Sequence, residues 1–206
     1  MTGDLVTAFV ALFVVIDPVG LAPIFVALTV GADPAHRRAV ALRACLIGLC
    51  VLTLFGLVGE AVLEFVGISL PAFRIAGGIL LFITALDMLF ERRTKRRGEQ
   101  QAAEDPSVFP LAIPLIAGPG AIAAMILLTS RAGADAAWIA AVHGVMALVV
   151  GLVLVLFLIA GRIERLLGPT GIVVVTRLLG MLLAALSVQF VLDGLADVGA
   201  LGRAPG

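Results

Sequence analysis

The chain has 206 residues, 62% of them hydrophobic, with 14 Lys/Arg balanced by 14 Asp/Glu and no net charge. Apolar content so far above the roughly 45–50% of soluble domains excludes a water-soluble globule, and the lack of a basic face excludes nucleic acid as a partner. The composition is that of a polytopic membrane protein.

In the first apolar segment, Leu5 to Val30, Asp17 is the one ionisable residue. As a helix this segment would be about 39 Å long against a hydrocarbon core of roughly 30 Å, so Asp17 falls near the bilayer midplane. Pro18 removes a backbone donor and Gly20 weakens the helix further, which predicts a break with Asp17 as N-cap and Pro18 as first residue of a second half-helix. Backbone groups freed at membrane depth are tolerated only against protein or a water-filled cavity, the construction of midplane sites in secondary transporters. A plainer reading makes Asp17 a helix cap with no ligand. Met1-Thr2-Gly3-Asp4 has no positive n-region and no cleavage site follows, so the segment reads as a span and not a signal peptide.

Hydropathy predicts six spans, at 5–30, 39–58, 69–90, 108–129, 136–160 and 172–192. Cys45 and Cys50, five apart in the second, have neither disulfide nor metal spacing and read as packing residues. Glu60 and Glu64 fall in a loop, and Arg43 is expected to snorkel from the end of span two. The basic stretch Glu91 to Arg97 opens a linker, 91–107, that is too short to be a domain and reads as a topology signal, with anionic-lipid contact as the weaker alternative. His143 is a lone intramembrane histidine, read as packing or hydrogen bonding. The loops after spans one, three and five carry nine Lys/Arg, against Arg131 and Arg203 on the other side. That asymmetry puts the basic loops in the cytoplasm and both termini outside.

The second half of the chain echoes the first. Pro18-Val19-Gly20 in the first span is matched by Gly118-Pro119-Gly120 in the fourth, after Pro110 and Pro114. Arg74-Ile75-Ala76-Gly77 is matched by Arg177-Leu178-Leu179-Gly180, and Thr84 and Ser187 follow their arginines by ten residues. The pattern predicts a 3+3 repeat, 1–90 and 108–206. Three being odd, its copies cross the membrane in opposite directions.

The run Asp17-Pro18-Val19-Gly20-Leu21-Ala22-Pro23, the run Ser69-Leu70-Pro71-Ala72-Phe73-Arg74, the run Pro110 to Gly120, and Val188-Gln189-Phe190 with Leu192-Asp193-Gly194 strongly resemble the MarC family over nearly the whole chain. The resemblance implies a six-span bacterial inner-membrane protein, of a family classed with neutral amino-acid transporters and LysE-type exporters.

Several residues could carry chemistry. Asp17 is either a proton site, if desolvated, or part of a sodium site with freed carbonyls and the hydroxyls of Thr84 and Ser187. Arg74 and Arg177 either snorkel or pair with Asp17 or a substrate carboxylate. The amides around Gly118, Pro119 and Gly120 either bind a carboxylate at a half-helix N-terminus or only kink the chain for close packing. Ser187 and Gln189 serve equally as ligands or as interhelical hydrogen-bond glue. With no HExxH, GxSxG or P-loop and only two histidines, an enzyme lacks its parts, and no cofactor is expected. The reading is an all-α secondary transporter of small solutes, with neutral amino acids as the substrate class and a proton or sodium as coupling ion. Its expected partners are substrate and membrane lipid, and a homo-oligomer is compatible with the sequence. The alternative is a structural or lipid-handling, scramblase-like membrane protein.

Overall fold

The computed structural model describes residues 2–29, 31–90, 105–130 and 135–199, and every regular element among them is helical. In chain order these are α1 (Thr2–Ile16), α2 (Pro18–Leu28), α3 (Pro34–Val66), α4 (Leu70–Leu89), the irregular α5 (Ser107–Ile116), α6 (Pro119–Thr129) and α7 (Ala136–Asp197). Five helical stretches are long and apolar enough to cross a membrane, counting Gly3–Leu28 as one, and the α5–α6 pair, bent by 51°, makes a sixth if it is one span. The basic stretch from Glu91 to Arg97, Arg131 and Arg203 lie outside the described residues.

Local chemistry fixes most boundaries. Asp33 caps α3 by accepting from the Ala35 and His36 amides, both at 2.9 Å, and Pro34 occupies the first helical position. At the other end Gly67, at φ 79°, takes the left-handed conformation that an L side chain resists. The Ile68 amide reaches Leu63 O at 2.9 Å and the Gly67 amide reaches Glu64 O at 3.0 Å, which is a Schellman ending. With both caps α3 runs 33 residues, about 50 Å, well beyond the expected 39–58. Glu60 and Glu64 are accordingly exposed on a helix and not in a loop, because hydropathy registers the end of the apolar window while the cap decides where the helix stops. Spans five and six likewise join in one helical run of 62 residues, whose turn is made at Gly168 (φ 63°, ψ 173°). That backbone region is open essentially to glycine alone.

The interior of the bundle belongs to two elements. More than half of the most apolar window of Gly3–Leu28 is buried, against a third or less for the other four spanning helices. In α6, Gly120, Ala121 and nearly every residue from Ala123 to Thr129 are buried. Leu12, Ile16, Leu21 and Phe25 from the first segment pack with Val142, Met146, Val149 and Phe157 of α7 in one core, and the Phe25 and Phe157 rings stack at 4.4 Å. Longer helices α3, α4 and α7 wrap this pair and expose large apolar side chains such as Leu46, Leu54, Phe82 and Leu148, as lipid-facing surfaces do.

One polar staple holds α5 to α3. Asp105 Oδ1 accepts from the Ser107 amide at 3.0 Å and its hydroxyl at 2.6 Å, while Arg43 Nη1 donates to Asp105 Oδ2 at 3.3 Å. Arg43 therefore has a carboxylate partner rather than only snorkelling. The Ser107 hydroxyl, then its amide, and then Arg43 hold the Asp105 carboxyl below its usual value. A depressed folded value means that this contribution is complete above the unfolded value near 4 and fades as pH falls through the lower folded one. Asp105→Ala should lower stability by about 1 kcal/mol or less at pH 7, since the pair is exposed, and thermal melting at pH 7 and pH 3 should show the difference shrinking in acid.

Candidate functional site at two helix breaks

The first break is one residue wide. Asp17 adopts φ 54° and ψ 63°, the left-handed region that Asp and Asn enter more readily than other side chains. Its amide donates to Phe13 O at 2.9 Å, closing α1, and its carbonyl accepts from the Leu21 amide at 3.0 Å, opening α2. Pro18 supplies the first residue of α2 without needing a donor. The carboxylate folds over that first turn, Oδ1 accepting from the Gly20 amide at 3.0 Å. A Cβ on Gly20 would overlap the carboxylate itself, so glycine is required for the cap to close. Only 3% of Asp17 is exposed.

The second break lies between α5 and α6. Phe109, Ile113 and Pro114 leave helical backbone angles, and the Ala117 amide reaches back to Ala112 O at 2.9 Å. Gly118 then caps α6 with no side chain to offer, and Pro119 is again the first residue. A Cβ on Gly118 would stand 2.6 Å from Pro114 O, so the turn closes only over glycine. Both α2 and α6 have eleven residues. Thr29 at the end of one donates its hydroxyl to Phe25 O, and Thr129 at the end of the other donates to Met125 O.

Tertiary packing sets the breaks side by side. A Cβ at Gly120 would lie 3.5 Å from Val15 Cγ1, two residues ahead of Asp17, and 2.8 Å from Leu81 Cδ2 of α4. The first turn of α6 thus abuts the last turn of α1. One break presents a buried carboxylate, and the other a half-helix N-terminus with main-chain amides and no side-chain cap. These can bind, respectively, a cation or proton and an anionic group.

The remaining sequence candidates are placed elsewhere or are engaged locally. Arg74, at the start of α4, pairs with Asp197 at the end of α7. That partner was not foreseen, and its signal is visible only once α4 and the last limb of α7 run antiparallel. Arg177 is exposed on α7. Thr84, half-buried, donates to Leu80 O at 3.0 Å, and Ser187, fully buried, donates to Ala184 O at 2.7 Å, so both hydroxyls bond their own helices. Gln189 is exposed and donates to Asp193 Oδ1 at 2.7 Å. His143 Nδ1 lies 2.8 Å from Ile139 O, while its buried Nε2 has no hydrogen-bond partner beside Gly56 and Met125. Cys45 is buried and Cys50 exposed, and no group of residues with metal-ligand character occurs among the described residues.

An apolar helical bundle whose central segments carry a buried carboxylate and an uncapped helix start is an integral membrane protein. A family model described as MarC family integral membrane protein matches residues 3–198, and the chain belongs to that family. It is similar to a UPF0056 membrane protein of Archaeoglobus fulgidus, 42% identical over 195 residues covering 92% of this chain and 91% of the relative. It is 34% identical to the UPF0056 inner membrane protein YhgN of Escherichia coli over 194 residues, 93% of this chain and 96% of that one. A UPF0056 membrane protein of Aquifex aeolicus is 34% identical over 205 residues, covering 94% and 92%. No solved structure matches the chain.

Proposed function

We propose that the protein is a secondary transporter of small solutes, built as a 3+3 inverted repeat with broken first and fourth spans, and not an enzyme. One observation carries the reading: the last turn of α1, ending at the buried carboxylate of Asp17, packs against the first turn of α6, and each break is followed by an eleven-residue half-helix that opens on a proline. Ionisable groups at that depth are costly and are characteristically found on ion or substrate pathways. Transport at such a site works by rocking one three-helix unit against the other around a fixed binding point.

Asp17 carries the coupling proton or sodium in this reading, and the α6 amides at Gly120 and Ala121 receive the anionic end of the solute. Neutral amino acids are the substrate class, on the strength of the family resemblance, with the inner membrane as location and both termini outside. Arg74, being paired with Asp197, acts at the periphery, while Thr84, Ser187 and Gln189 bond within their own helices. The test is uptake of labelled alanine, glycine and serine into proteoliposomes under separately imposed proton and sodium gradients. Flux above protein-free vesicles with one gradient and not the other supports the carrier and names its ion. Absence of flux with either gradient, together with movement of labelled lipid, would replace it by a lipid-handling role.

A further inference from the structure

A cavity of about 360 Å³ opens at the far end of α2 from Asp17. Its floor is the Phe25–Phe157 stack, and its mouth carries Arg37 and Arg38 from the first turns of α3 and Arg162 of α7. No Asp or Glu is among its lining residues. Asp33, which precedes them in sequence, has its carboxylate engaged by the Ala35 and His36 amides. Asp105 and Asp197, which pair with Arg43 and Arg74, lie outside this lining.

Arginines that only mark topology need reach no further than water. Arg37 instead is half-buried, its guanidinium carbon 5.7 Å above the Phe25 ring, a cation–π placement that holds it over the cavity. The volume is that of a small-molecule pocket. It lies where α2 stops at Leu28 and α3 starts at Pro34, beside Arg162, the first charged residue after the apolar run of α7. Charged residues at the ends of apolar spans are the positions where hydrocarbon characteristically gives way to headgroups. Leu158, half exposed, continues the apolar floor outward.

We propose that this cavity seats the phosphate of an anionic phospholipid, with the three arginines on the phosphate and the lipid's apolar portion against Phe25, Phe157 and Leu158. Guanidinium forks suit phosphate oxygens, and basic pockets between spans are a recurrent headgroup geometry. A lipid is favoured over a soluble phosphate because the floor is aromatic and the outlet is apolar.

The test is thermal melting of the full chain in micelles titrated with phosphatidylglycerol, phosphatidylcholine, glycerol 3-phosphate or inorganic phosphate. Phosphatidylglycerol should raise the melting temperature saturably, and the other three should not at matched concentration. Each arginine replaced by Gln should weaken the apparent affinity about fivefold, so that R37Q/R38Q/R162Q loses about a hundredfold. R43Q, whose arginine lies outside the cavity, should titrate like wild type. Should the triple variant fail to fold, R162Q alone, at an exposed side chain, keeps the fivefold comparison. An undiminished response in the arginine variants would place the lipid elsewhere and overturn the proposal. An equal response to glycerol 3-phosphate would reassign the cavity to a soluble anion. Neither arm reads transport, so the result leaves the carrier reading to its own test.

Discussion

Asp17→Asn is expected to reduce gradient-driven solute flux to the level of protein-free vesicles while the protein still folds. Asparagine keeps the size of the side chain, enters the left-handed region nearly as readily, and can still accept from the Gly20 amide. What it loses is the charge, and with it the ability to carry a proton or to hold sodium. The capping bond also ceases to be charge-assisted, at a cost of about 1 kcal/mol, visible as a small drop in melting temperature. Asp17→Ala loses the cap and places an alanine at φ 54°, and should cost about 2–3 kcal/mol. The pair separates two roles: flux lost in both variants but stability lost mainly in alanine marks a functional carboxylate. Wild-type coupled flux in Asp17→Asn would reduce Asp17 to a helix cap.

Gly78→Ala should be among the most destabilising single-methyl additions in the chain. It sits in the contact of α4 with the last limb of α7, and a Cβ there would stand 2.8 Å from Ser187 O and 3.1 Å from Val191 N. Those are main-chain atoms that no rotamer change can move, so the helices must separate. Gly194 lies against Pro71 O and Ile75, and Gly180 against Ala85 O and Met88, so the contact runs antiparallel along the whole pair. In lipid, with no hydrophobic gain between helices, such close packing supplies much of the association. A loss of about 1–3 kcal/mol is expected, with a matching fall in melting temperature. Gly144→Ala on the first limb of α7 meets nothing within 4 Å and should be neutral or slightly stabilising, because alanine favours helix. Equal melting of the two variants would show slack in the α4–α7 contact.

Asp105 and Arg43 illustrate how a contact escapes a linear reading. They lie 62 residues apart, each exposed and each unremarkable in its own segment, and they meet only because α5 packs on α3. Arg74 and Asp197 are the same case at 123 residues' separation. The placement of Glu60 and Glu64 on a helix, where a loop was expected, has a related reason. Hydropathy measures transfer from water to lipid, whereas a helix continues until a cap such as Gly67 satisfies its last carbonyls.

The sequence by itself determined the membrane class, the approximate course of the apolar segments and the two places where the backbone departs from a helix. Those features arise from composition and from sterics acting within one turn: the missing donor of Pro18 and Pro119, the tolerance of Asp17 for φ 54°, and the absent side chain at Gly20 and Gly118. Only the tertiary structure decided that the interrupted segments occupy the centre, that Gly120 brings α6 against Val15, and that Arg43 and Arg74 meet Asp105 and Asp197. It also gathered Arg37, Arg38 and Arg162 around one aromatic floor. The physical reason is that helix faces in an apolar medium are matched by small-residue contact and by a few long-range polar pairs, which hydropathy along the chain does not encode.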